Sequence, residues 1–175
     1  MAINFSALVF MVPIGLASAI SIRVGNALGR GEPEAARYAG RIGLLIILFI
    51  QTISATAMFF FPELIVRMYT DDVAVGTLAV SLLFYAAIFQ YPDGIQMVMA
   101  GALRGYKDTR WPMLYTMISF WIVGMTLGYS LTFRYGMGPA GMWVGMIAGL
   151  TVAAALMLRR FRRTARRHLR TPAAA

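Results

Sequence analysis

The residues best suited to chemistry lie together in FQYPDGIQMVMAGALRG, residues 89–105, where Gln90, Pro92, Asp93 and Gln96 interrupt an otherwise apolar run. An ionised carboxylate inside a bilayer costs at least about 2.5 to 3.5 kcal/mol to insert. It either finds a cation or takes up a proton, and both outcomes make Asp93 a candidate coupling residue. At 100° per residue on a helix, Gln90 and Gln96 fall about 60° to either side of Asp93. Ala86, Phe89, Met97 and Ala100 complete that face, and Tyr91 points the other way. Pro92 lacks an N–H and clashes with the carbonyl of Ile88, which predicts a bent turn with a free oxygen beside the carboxylate. Broken helices of transporters bind cations in this manner. The structural alternative is an aspartate hydrogen-bonded to a neighbouring helix for packing alone.

The elements that position these groups follow from composition. Of 175 residues, 59% are hydrophobic and 13% charged, and the mean hydropathy is +0.69, outside the balance of a soluble domain. A helix needs roughly 20 apolar residues to cross about 30 Å of hydrocarbon. Residues 2–22, 42–61, 77–103, 111–133 and 140–158 meet that requirement, and among them only 77–103 carries a charge, at Asp93. The expected fold is therefore all-α and polytopic, with five transmembrane helices over residues 1–158 and a basic tail over 159–175. No cysteine is present, so disulfides and thiolate sites are excluded. No histidine, cysteine or second acid lies within a span to act with Asp93, so an enzyme is not expected.

The net charge of +9 does not point to nucleic acid once its distribution is read. Seven arginines follow Leu158. Arg23, Arg30, Arg37 and Arg41 lie between spans one and two, and Arg104, Lys107 and Arg110 lie between spans three and four. The intervening loop carries Glu63, Asp71 and Asp72 against Arg67 alone. Basic residues thus mark alternate loops, which places those loops and the tail on the cytoplasmic side. Contact with anionic lipid headgroups is the expected role of the tail arginines, and His168 within it is read as solvated. Five spans would leave Met1 outside with no flanking charge, so helices upstream of residue 1 are expected.

Within the spans, Pro13 and Gly15 are expected to turn helix one towards protein rather than lipid. Pro33 with Glu32 and Glu34 marks a helix start after a cytoplasmic turn. Asp108 or Thr109 is a candidate cap for helix four, with Pro112 in its first turn. Gly124 and Gly128, and Gly141, Gly145 and Gly149, recur four apart, a spacing that lets helix backbones approach closely.

FSALVFMVPIGLASAISIRVGNALGRGEPEAAR, followed by FQYPDGIQMVMAGALRGYKDTRWP and GPAGMWVGMIAGL, resembles the carboxy-terminal lobe of the multidrug and toxic compound extrusion (MATE) family. The likeness covers nearly all of the chain before the basic tail. Its loop positions include Arg23, Gly25, Gly29, Arg104, Gly105, Lys107 and Asp108. The resemblance implies a twelve-helix antiporter of two six-helix lobes that exchanges sodium or protons for drugs, often organic cations, with this chain supplying the last five helices. It also implies that Asp93 occupies the place of the acidic residue that binds the coupling ion, with Phe89, Gln90 and Gln96 as candidate ion or substrate contacts. The position one turn before is often tyrosine in that family and is Phe89 here, which removes one oxygen ligand from a sodium site. A second acid on the preceding helix of the family has no counterpart in this chain.

The expectation is accordingly part of a bacterial inner-membrane drug–cation antiporter, with no cofactor beyond the coupling ion. The amino-terminal lobe, absent here, or a second copy would complete it. Two other readings remain at this stage: a flippase for lipid-linked precursors in the same superfamily, and a non-transporting membrane assembly protein.

Overall fold

The computed structural model describes residues 2–67 and 73–170, which are helical apart from short turns, with no strand among them. Asp71 and Asp72 lie outside the described residues. Helix α1 spans Ala2–Gly29, α2 Pro33–Phe60, the short α3 Pro62–Arg67 and α4 Val73–Gly105. Helix α5 runs over Arg110–Arg134, and α6 over Pro139–Arg170.

The helices outlast the hydrophobic segments that betray them. Hydropathy marks depth in the bilayer, whereas a helix continues wherever its backbone bonds do, so α1 runs on past residue 22 and α2 starts before residue 42. The expected polar turn shrinks to Arg30–Glu32, with Gly31 at φ 73° receiving the left-handed cap that glycine favours. Its N–H bonds the Leu28 carbonyl at 3.0 Å, and the Glu32 N–H reaches Ala27 at 2.9 Å. The same arrangement ends α4: Lys107, at φ 60°, donates to Arg104, and Asp108 donates to Leu103.

The largest departure is at the carboxy terminus. Helix α6 carries straight through residue 158 to Arg170, because arginine, alanine and leucine favour helix and because its inward face is apolar. Phe161 and Ala165 are buried with Met157 in the same core cluster as Ile20, Val24, Ile47, Val98, Met99 and Leu103. The basic segment is thus one face of a packed helix. His168 is exposed as expected, with its ring 5.0 Å from that of Tyr106.

Four of the five expected spans, in α1, α2, α5 and α6, are long and apolar enough to cross a membrane. The fifth expected span lies in α4. It has 33 residues, a length of about 50 Å, and it packs against α1, α2 and α6. The outer surface is that of a protein solvated by lipid: Phe49, Ile53, Phe59, Phe60, Trp121 and Ile122 are all exposed.

Without a hydrophobic drive between helices in lipid, packing relies on small residues at the seams. At the α5–α6 seam, a Cβ on Gly145 would overlap the backbone of Gly128, and one on Gly149 would sit 2.8 Å from the Ser119 carbonyl oxygen. At the α1–α4 seam, a Cβ on Gly101 would overlap the Ala17 carbonyl, and one on Gly105 would lie 2.7 Å from the Ser21 oxygen. Pro13 is buried, as expected, but Gly15 has no atom within 4 Å of where its Cβ would stand. Gly15 therefore serves no close approach among the described residues. Two stretches of α5, Ile118–Met125 and Ser130–Arg134, are π-helical.

Candidate functional site

Helix α4 carries the candidate site through Pro92 and Gly94, both buried, and Asp93 between them, half-buried. Proline inside a helix removes one rung of the backbone ladder, here the one that would close on Ile88. A donor from another helix enters this turn: Gln51 Nε2 of α2 donates to the Gln90 carbonyl at 2.5 Å. The Gln51 carboxamide lies against Gly94, where a Cβ would overlap it. Beside it, Tyr91 Oη donates to Thr52 Oγ1 at 3.2 Å, while Thr52 donates its own proton to Leu48 at 2.8 Å. Tyr91 thus faces away from Asp93, as helix geometry predicts.

The polar stripe read from the sequence divides in space. Gln90 turns its amide back onto its own helix, donating to the Ala87 carbonyl at 3.4 Å. Phe89 packs edge-to-face on Trp143 of α6, with ring centroids 5.8 Å apart. Gln96 lines a cavity of about 330 Å³ between α4, α5 and α6, with Met97, Arg104, Met113, Thr116 and Met157. Its Oε1 is buried without a partner. Among the described residues Asp93 makes no hydrogen bond or ion pair, so neither glutamine side chain is joined to it. No group of three His, Cys, Asp or Glu side chains converges among those residues, so Asp93 is the one charged ligand that α4 offers a cation at this depth.

Gln51 is the residue that sequence reasoning missed. It sits in LFIQTIS, within an aliphatic span, and is 5% exposed. Its signal was available: an amide at the centre of an apolar run needs a buried partner, and periodicity alone does not say which helix supplies it.

The loop positions gather at one end of the bundle. Arg23 and Arg104 are exposed there, a Cβ on Gly25 would stand 3.9 Å from the Gly105 carbonyl oxygen, and Gly29 has open space around it. Asp108 does not cap α5, and Thr109, at the cap position, makes no side-chain bond. Asp108 instead accepts Arg160 Nε at 2.7 Å and Thr164 Oγ1 at 3.4 Å. The Arg160 guanidinium also lies over the Trp111 ring, 4.9 Å from its centroid. Arg30 and Glu32 form a second, exposed pair at 2.9 Å, which holds the Glu32 carboxyl below the usual carboxylate range through its hydrogen bond. The Tyr106 hydroxyl is buried and unpartnered, and burial pushes its phenol up to about 12 in spite of Arg37 nearby.

The MatE family model matches residues 1–130. The chain is 55% identical over 166 residues to a probable multidrug resistance protein NorM of Xanthomonas axonopodis pv. citri, covering 95% of this chain and 36% of that protein. It is 44% identical over 173 residues to the multidrug resistance protein PmpM of Pseudomonas aeruginosa, covering 97% of the chain and 36% of the relative. The chain therefore spans about a third of the length of the curated relatives it matches. Among solved structures, an inward-facing MATE family transporter of the MOP superfamily superposes with a TM-score of 0.85 at 18% identity, covering 98% of the chain and 40% of that protein. An outward-facing one gives 0.81 at 19% identity, covering 91% and 36%. At those identities the likeness concerns the fold.

Proposed function

The chain belongs to the MatE family and is an integral membrane protein, and from that premise we propose that it supplies the carboxy-terminal helices of a multidrug efflux antiporter. In this reading Asp93 alternately holds and releases a sodium ion or a proton, and the cycle is coupled to export of a drug-sized, often cationic, molecule. The remaining helices come from a portion equivalent to the other two-thirds of its relatives, or from a second copy. The chain lies in a bacterial inner membrane, its carboxy-terminal end on the cytoplasmic side with anionic lipid, and it binds no nucleic acid.

The observation that carries this reading is a lone carboxylate, half-buried beside a proline in mid-helix and without a partner among the described residues. An intramembrane acid kept only for packing would be hydrogen-bonded, since the unpaired group is expensive in hydrocarbon. An unpaired one is free to take a cation. Phe89 and Gln90 are held by other contacts, so neither side chain is counted among the ligands of the ion.

The test is efflux in everted membrane vesicles carrying the chain joined to the amino-terminal helices of the NorM relative that it matches at 55% identity. Asp93→Asn is expected to abolish gradient-driven dye movement while leaving the protein in the membrane. Efflux equal to that of the parent chimaera refutes the role of Asp93.

A further inference from the structure

We propose that Gln51 is a positioning residue for Asp93, and that Gln51 and Gly94 together set the turn of α4 on which the carboxylate rides. The inference rests on reading Asp93 as the coupling residue. Gln51 is 5% exposed and donates to the Gln90 carbonyl, two residues on from the Ile88 carbonyl that Pro92 leaves without its N–H. Its carboxamide occupies the space that a side chain on Gly94 would need. The two residues it grips, Gln90 and Gly94, bracket Asp93. The neighbouring Tyr91–Thr52 bond fixes the same turn one residue further round, so α2 holds α4 at adjacent points on the side away from the carboxylate.

A purely structural amide would spend both ends on partners. The Gln51 Oε1 is buried and has none, so its donor bond to Gln90 is the one hydrogen bond that holds the side chain. That is a poor arrangement for stability and a good one for aiming a helix. Among the described residues, no acidic or basic side chain of α1, α2 or α6 is bonded to Asp93. On α4 the nearest charged residue, Arg104, is eleven positions away, about 16 Å along the axis. Helix α2 therefore reaches the carboxylate through the backbone around Pro92, by a hydrogen bond and packing rather than by charge.

The test needs no transport, only the chain in lipid nanodiscs. Dicyclohexylcarbodiimide adds to protonated carboxyl groups in apolar surroundings, and mass spectrometry of the peptide containing Asp93 reads its labelling against pH, with and without sodium. In Gln51→Leu the midpoint is expected to move by about one pH unit, a tenfold change in proton concentration. Gly94→Ala is expected to move it as well, and Gln51→Ala with Gly94→Ala to match Gln51→Ala alone, because the overlap is then gone. Profiles for Gln51→Leu and Gly94→Ala that superimpose on the parent overturn the proposal. Where Gln51→Leu fails to accumulate, Gly94→Ala decides. Where that variant fails too, restored accumulation on adding Gln51→Ala supports the pairing, and no restoration overturns it. Parent labelling that ignores both pH and sodium sinks instead the coupling role of Asp93, and this proposal with it.

Discussion

The Asp108–Arg160 pair allows a quantitative test of how the link after α4 is tied to α6. The Nε–Oδ2 distance is 2.7 Å, and the side chains are 22% and 13% exposed for Arg160 and Asp108. At an effective dielectric constant near 20, unit charges about 3 Å apart attract by roughly 5 to 6 kcal/mol, and partial desolvation offsets much of that. Hydrogen bonds to charged groups retain about 1.5 to 3 kcal/mol net. Asp108→Asn is therefore expected to lower the unfolding free energy by about 2 kcal/mol. Arg160→Gln loses in addition its contact with Trp111, a cation–π term of about 0.5 to 2 kcal/mol. In a double-mutant cycle the coupling between Asp108→Asn and Arg160→Gln should be about 1.5 to 3 kcal/mol. The assay is reversible unfolding in mixed micelles by added dodecyl sulfate, followed by tryptophan fluorescence, since Trp111 stands beside the pair. A coupling below about 0.5 kcal/mol, the range of exposed pairs, refutes the argument that this link is bolted to α6.

The glycine seams and the buried phenol give two further expectations. Gly145→Ala forces a methyl into the backbone of Gly128 and should cost about 1 to 3 kcal/mol in the same assay, whereas Gly15→Ala, with open space around it, should be neutral or stabilise by up to about 1 kcal/mol. Equal effects at the two positions would show that close approach is not what holds α5 to α6. For Tyr106, a folded value of about 12 lies above the unfolded value near 10, so the group's contribution is fully present below pH 10 and is lost as pH rises towards 12. Tyr106→Phe should flatten that part of the stability profile without loss at neutral pH, because the hydroxyl it removes has no partner.

The sequence made the membrane class and the helical bundle legible for one reason: hydropathy reports directly on depth. The ends of the helices were harder. The segment RRFRRTARRHLR looks like a solvated tail by charge, and only the four-residue spacing of Phe161 and Ala165, continuing that of Met157, reveals a face that packs. Asp108 precedes a proline-bearing helix start and reads as a cap, yet its partner lies 52 residues away in Arg160, beyond any local rule. The stripe of Gln90, Asp93 and Gln96 is an angular pattern read on one helix. Angle alone does not say that Gln90 would fold onto its own backbone, nor that Gln51 of α2 would grip the turn from behind. The comparisons place the chain in a family without assigning roles to these side chains, so their division of labour comes from the geometry.

The unbroken course of α6 also bears on how such a bundle can move. The helix leaves its apolar segment at Leu158 and continues for twelve residues, about 18 Å, with Arg159, Arg162 and Arg163 exposed at the point of exit. Sliding the bundle by one turn, about 5.4 Å, in the direction that draws these residues towards the apolar segment would move guanidinium groups towards hydrocarbon, where the cost rises to roughly 2.5 to 3.5 kcal/mol each at the centre. Helix α4 is clamped to that depth through Asp108. The arginine row thus acts as a plimsoll line, opposing movement of the bundle along the membrane normal more than tilting.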